Sequence, residues 1–343
     1  MNTTSLRLRP LAAAILCSLI APALFAQTAM TTPVGFITRT IPKAVDAATP
    51  SNTTLSIPLY ATAAYVSAVA SIDSATQLTL SGAAWTAGQF VLAASGGTAT
   101  TPYLVRVKTG TNVGRFWLVS ANTTNQLTVV NPYGGVTNIS GLVSVNDSCE
   151  ILPANTLASV FGAPSVIQSG ATSDVADNVL LWNGTNWDTY YYNGTNWTAG
   201  GRTSYNNLVI YPDEGVFVIR RATASDATIT LMGTVPSTDE KTAIAGSGAS
   251  TFFANRFPTD TTLGGLGLQN SAGWTPGATA DVADDVFIWN GTNWDTYYYN
   301  GTNWTAGGRG DKGPTPITAG TAVFVKRVGS GLVTLAQVLP YTP

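Results

Sequence analysis

The sequence predicts an all-β protein: a small N-terminal β-barrel or sandwich domain followed by two tandem homologous antiparallel β units. Three observations carry this. Short apolar or alternating runs broken by Gly, Pro, Asn and Asp fill the chain, and few segments hold a helical period. A 29-residue segment occurs twice, at 174–202 and at 281–309, 107 residues apart. The copies read DVADNVLLWNGTNWDTYYYNGTNWTAGGR and DVADDVFIWNGTNWDTYYYNGTNWTAGGR, differing only at Asn178/Asp285, Leu180/Phe287 and Leu181/Ile288. Each copy carries two Asn-Gly turns between aromatic residues, the strongest short-range hairpin signal because both residues accept positive φ cheaply.

Residues 1–26 read as a secretory leader that is removed. Arg7 and Arg9 precede an apolar run from Leu11 to about Phe25, which is short for a membrane span, and small residues stand near Ala26. A secreted or cell-surface location follows, with the periplasm or outer-membrane surface as alternatives. No membrane span is expected in the mature chain. The N-terminal β domain is placed at 27–152. Its strands are expected at 34–41 and 54–59, then in a meander at 66–72, 77–80, 89–93, 103–108, 115–120, 126–130 and 144–151. The repeats are placed at 153–238 and 252–343, with short helical turns at 155–161 and 254–257 opening them. Similarity extends past the matched segment: 216–220 aligns with 323–327 at the same spacing, and 231–238 with 335–342 at a spacing of 104.

Composition removes several chemistries. Only 10% of residues are charged, against about 25% in ordinary soluble domains. The formal net charge of −2 offers no basic footprint for nucleic acid or anionic lipid. There is no histidine, which excludes Ser-His-Asp, Cys-His and His-ligated metal chemistry. Beyond the leader only Cys149 remains, so no intramolecular disulfide can form; a small buried hydrophobe is the expected role, pairing between chains the alternative. Glycoside hydrolysis would need a carboxylate pair. The three glutamates, Glu150, Glu214 and Glu240, all lie outside the matched segment, and no enzymatic activity is expected.

The hairpins themselves allow two readings. With four-residue loops, Trp182 faces Trp187 and Tyr192 faces Trp197. Trp187 and Tyr191 then share one face of the middle strand, and Tyr190 and Tyr192 the other. Exposed rings on such a surface would stack on sugars, which makes Trp187, Tyr190, Tyr192 and Trp197, with Trp294, Tyr297, Tyr299 and Trp304 in the second copy, candidate polysaccharide-binding residues. Alternatively the rings fill a core and pair across strands. The acidic residues Asp174, Asp177, Asp281, Asp284 and Asp285 are candidate calcium ligands, their spacing unlike an EF-hand, with turn capping as the plainer role. No other cofactor is expected.

The start Thr32-Pro-Val-Gly-Phe-Ile-Thr38, the segment Gly114-Arg-Phe-Trp117, the bridge Ile151-Leu-Pro with Thr156-Leu, and the doubled hairpins together resemble a family of uncharacterised secreted proteins common in Verrucomicrobia and related bacteria. The resemblance covers nearly the whole mature chain. It implies a secreted fold and supplies no catalytic residue. The expected function is a non-enzymatic structural or assembly protein, self-associating through strand edges or meeting other surface proteins. The alternative is a carbohydrate-binding module using the hairpin aromatics.

Overall fold

The structure is a computed structural model describing residues 33–131, 137–247, 249–308 and 310–342; the expected leader at 1–26 lies outside the described residues. In chain order it builds β1 (Val34–Ile41) and β2 (Ser51–Leu55), then β3 (Tyr65–Ser74), β4 (Gln77–Leu80), β5 (Tyr103–Val107), β6 (Phe116–Asn122), β7 (Gln126–Val130) and β8 (Ser148–Pro153). One short helix, α1 (Leu157–Phe161), follows. Then come β9 (Asn178–Trp182), β10 (Trp187–Tyr192), β11 (Trp197–Thr198), β12 (Val216–Arg220) and β13 (Ala227–Thr234). The remainder is β14 (Glu240–Ile244), β15 (Ser250–Ala254), β16 (Thr261–Thr262), β17 (Asp285–Trp289), β18 (Trp294–Tyr299), β19 (Trp304–Thr305), β20 (Pro316–Ile317), β21 (Ala322–Lys326) and β22 (Val333–Gln337). The protein is all-β, as its sequence predicts.

Strands β3-β4-β7-β6-β5-β8 close a six-stranded barrel, choosing barrel over sandwich. Its interior is packed with Val69, Leu78, Val105, Trp117, Leu127 and Ile151, so closure leaves a core rather than a pore. Cys149 sits in this core as a free thiol, its pKa pushed up to about 12 by burial. The strand expected at 89–93 does not form. Phe90 and Val91 are buried there in a turn that the Asn122 side chain holds by accepting from the Phe90 amide at 3.0 Å. The apolar run therefore reflects a plug against the barrel core rather than a pleated edge.

The domain boundary differs from the sequence expectation. β1 pairs antiparallel with β13 over its full length, and β2 pairs with β12. In the second repeat β14 pairs with β22, and β15 with β21. The strands at 34–55 thus belong to repeat one, and the barrel is inserted between β2 and α1. Repeat two begins at β14, ahead of the expected residue 252. Each repeat then has a five-stranded sheet, β11-β10-β9-β12-β2 and β15-β21-β17-β18-β19, and a two-stranded ribbon, β1-β13 and β14-β22.

α1 forms where a helical turn was expected, because Thr156 and Ser159 make a reciprocal capping box at its start. No helix forms at 254–257. Ala254 ends β15, and Arg256 is drawn into a buried ion network instead. In that network Arg106 of β5 meets Glu150 of β8 at 2.6 Å and Glu240 of β14, while Arg256 meets Glu240 at 2.5 Å. The segment Gly114-Arg-Phe-Trp117 is the docking strip between barrel and repeat two. Gly114 has φ +84° and lies so close to Glu240 that a Cβ would fall 2.7 Å from its Cα. Arg115 donates to Thr334 Oγ1, and the Arg256 guanidinium lies 5.6 Å from the centre of the Phe116 ring.

Candidate functional site

The hairpin loops take four residues. Asn183 Oδ1 accepts from the amides of Thr185 and Asn186, and the same pattern repeats at Asn193, Asn290 and Asn300. Gly184, Gly194, Gly291 and Gly301 all have positive φ. These Asx turns set the register: Trp182 opposes Trp187 and Tyr192 opposes Trp197, with Trp289–Trp294 and Tyr299–Trp304 in the second copy.

The two aromatic faces have different partners. Tyr190 and Tyr192 turn into the core of their own repeat, where Trp197 is fully buried and donates from Nε1 to Gly162 O at 2.8 Å. Trp304 is buried in the second core and donates to Gln269 Oε1, and Tyr297 and Tyr299 pack against the same cluster half-buried. Trp187 and Trp294 point the other way, into a seam between the two repeats that contains Leu180, Phe217, Phe252 and Phe324. The seam is pseudo-symmetric. Trp182 packs edge-on to Phe324 at 4.9 Å, and Trp289 edge-on to Phe217 at 5.6 Å. Trp182 Nε1 donates to Ser250 O of β15, and Trp289 Nε1 donates to Asn52 O of β2. Each repeat thus hands its tryptophan to the other repeat's edge strand. The aromatic residues proposed to stack on sugars pack into the two cores and the seam, and three of them also line open pockets, Trp187 and Trp294 at the seam and Tyr190 beside β14 and β15.

The acidic candidates disperse. Asp177 is buried and holds Arg220 at 2.5 Å, while also accepting from the amides of Gln168, Arg221 and Ala222. Asp284 repeats this with Arg327 and the amides of Thr275, Val328 and Gly329. Their oxygens are filled by the fold, and Asp174 and Asp281 are exposed. Among the described residues no group of three acidic, Cys or His side chains is placed to hold a metal.

Asp285 is the exception in the repeat. Its counterpart Asn178 donates to Ser173 O and Ala176 O and accepts from Arg221. The carboxylate at 285 cannot donate, and its Oδ1 is buried without a hydrogen bond. Burial pushes its pKa up to about 6, with Asp281 and Asp284 adding to the rise and Lys326 opposing it. The folded state therefore binds the proton more tightly than the unfolded chain, and stability falls as pH rises through about 6. Asp285→Asn is expected to raise the melting temperature at about pH 7.5 and to leave it nearly unchanged at about pH 2.5, below both pKa values, where both states carry the proton. Calorimetry at the two pH values checks this; an equal shift at both would contradict it.

Among the described residues an exposed ribbon and a pocket are open to partners, besides the pocket at the seam lined by Trp182, Trp187, Trp294 and Phe324. The β1-β13 ribbon presents Val34, Phe36 and Met232 to solvent, with Phe36 directly opposite Met232 and both more than 70% exposed. Second, a pocket of about 380 Å³ opens where repeat one meets β14 and β15. Trp182 and Tyr190 line it with Tyr211, Asp213 and Glu214, and Asp188 is exposed at its mouth. The sequence signal for this pocket was the break in the repeat: Tyr211-Pro-Asp-Glu-Gly215 stands where the second copy has Thr318-Ala-Gly-Thr-Ala322. Comparison with family models, curated proteins and solved structures returned no match for this chain.

Proposed function

We propose that this is a non-enzymatic, secreted or cell-surface structural protein that assembles with further copies of itself through the β1-β13 ribbon. The carrying observation is the apolar stripe Val34, Phe36 and Met232, exposed on a ribbon of two strands. Among the described residues the outer edge of β1 has no strand beside it, and that of β13 is met only by Tyr60 at Thr234. Such an edge is a template for a further strand, and an apolar face beside it gives the added strand something to bury. The low charge of the chain leaves little repulsion between copies. Two of the three glutamates, Glu150 and Glu240, are spent on the buried ion network. The sugar-binding alternative would have to use the hairpin rings that line pockets, Trp187, Tyr190 and Trp294.

The mature protein is expected to sediment as concentration-dependent oligomers. The double variant Phe36→Lys/Met232→Lys is expected to sediment as a monomer with an unchanged melting temperature, because both side chains are exposed. A native protein that stays monomeric at every concentration would overturn the proposal.

A further inference from the structure

We infer that copies join head to tail, Phe36 and Met232 of one ribbon entering the seam pocket of the next copy. The inference rests on the assembly reading above and names the second surface that reading lacks.

The pocket holds about 360 Å³ at the seam between the two repeats. Trp182 and Trp187 of repeat one face Phe287, Trp294 and Phe324 of repeat two across it, and Lys326 is the one charged residue of the lining. Trp182 stands edge-on to Phe324 at 4.9 Å and to Trp187 at 5.1 Å, so the walls are held by each other before anything enters. An apolar cavity of about 150 Å³ takes one benzene ring. The seam pocket therefore has room for a phenyl ring with a thioether beside it, and methionine sulfur packs favourably against aromatic edges.

The insert has that composition. Phe36 and Met232 are directly opposite each other on paired strands, so they stand side by side as one knob. The other exposed residues of that ribbon face are Val34 and the threonines Thr38, Thr40, Thr228 and Thr230. The face carries no carboxylate to desolvate and no cation to repel Lys326. Within one chain the knob is exposed and the pocket is open, so they do not fill each other.

The repeats themselves show that this ribbon face docks. By strand register the counterparts of Phe36 and Met232 are Lys241 and Ala336 in repeat two. There the barrel lies against the ribbon: Lys241 donates to Thr111 O, and Thr334 accepts from Arg115 at 2.9 Å. Repeat one has a ring and a thioether at the equivalent positions, exposed to solvent. The pocket departs from the repeat in a matching way. Leu180 is buried in the seam, whereas its counterpart Phe287, one of only three differences in the 29-residue segment, is half-buried and lines the opening. A contact between two unlike surfaces leaves each copy with a free knob at one end and a free pocket at the other. Such a contact grows into a ring or an open filament, where a ribbon pairing with its own kind would stop at a dimer.

Sedimentation of two single-surface variants, alone and mixed, tests this. Phe36→Lys/Met232→Lys removes the insert. Ser250→Arg sets a long cation in the pocket wall and keeps the Ser250 carbonyl that accepts from Trp182. Each variant is expected to be a monomer alone. Their equimolar mixture is expected to form a dimer and nothing larger, because one working insert meets one working pocket. Phe287→Leu restores the residue of repeat one and is the milder check, expected to weaken self-association about tenfold with the fold kept. The inference is overturned if the mixture stays monomeric, or if Ser250→Arg and Phe287→Leu assemble as the native protein does, which is the result for a pocket kept for a sugar or another small ligand. In that second case, loss of assembly in the Phe36/Met232 variant would leave the ribbon reading standing. A native protein that is monomeric at every concentration removes both.

Discussion

Glu240→Gln is expected to destabilise the protein by about 3–5 kcal/mol, the range for breaking a buried ion pair from one side. Glu240 is fully buried, and its two oxygens serve different parts of the fold. Oε1 accepts from Arg106 of the barrel. Oε2 accepts from Arg256 at 2.5 Å and from the Tyr60 hydroxyl at 3.2 Å. Both guanidiniums are almost wholly buried, and Arg106 lies 4.5 Å from the centre of the Tyr60 ring. An amide at 240 presents one acceptor where two are used and turns an N–H pair toward a guanidinium. Arg106 would retain Glu150, but Arg256 would lose the carboxylate that meets it at 2.5 Å. Glu150→Gln is expected to cost less, because Glu150 is not fully buried and Arg106 keeps Glu240. Urea unfolding at fixed pH measures both. The network joins the barrel to repeat two, so native Glu240 also predicts a single cooperative transition. A Glu240→Gln loss below about 1 kcal/mol would mean that solvent reaches the cluster.

Local chemistry was legible in the sequence, and long-range pairing was not. The four-residue Asn-Gly loops and their facing aromatic pairs follow from turn stereochemistry, which needs only neighbouring residues. The Thr156 capping box is local in the same way. By contrast, β1 meets β13 nearly 200 positions away in the chain, and nothing in VGFITRTI specifies that partner. The duplication could not reveal it either. Aligned by register, residues 51–55 and 249–253 share only Thr53/Thr251, because the surrounding cores require apolarity and not identity. The barrel therefore read as part of an N-terminal domain when it is an insertion within repeat one. The aromatic residues on both faces of β10 were visible, but the reason was not. One face builds its own core and the other builds the seam with the second repeat, and a seam between duplicated units leaves no signal within either unit. The pocket followed a different rule. It combines residues shared by both copies, Trp182, Asp188 and Tyr190, with the segment 211–215 where the copies disagree, so only part of its lining stands out in the sequence.

Trp197→Ala is expected to cost about 3–5 kcal/mol, as truncation of a buried tryptophan leaves a cavity that its surroundings only partly close. Trp197 is wholly buried, packs 5.6 Å from the Phe161 ring of α1 and 5.9 Å from Tyr192, and its Nε1 is the donor for Gly162 O. Removing it therefore empties space, separates α1 from the hairpin and strips a carbonyl of its partner. Trp197→Phe separates these effects: the ring stays, the indole N–H goes, and a loss of about 1–3 kcal/mol is expected. The counterpart Trp304 tests whether the cost belongs to the residue or to its setting. Trp304 donates at 3.3 Å to the Gln269 side chain, which can swing to another partner, where Gly162 O is fixed main chain. Trp304→Phe should then cost less than Trp197→Phe although the surrounding 29 residues are nearly identical. Thermal unfolding of the three variants decides it. Equal losses for the two Phe variants would place the energy in ring packing alone and remove the hydrogen bond to Gly162 as a distinct contribution.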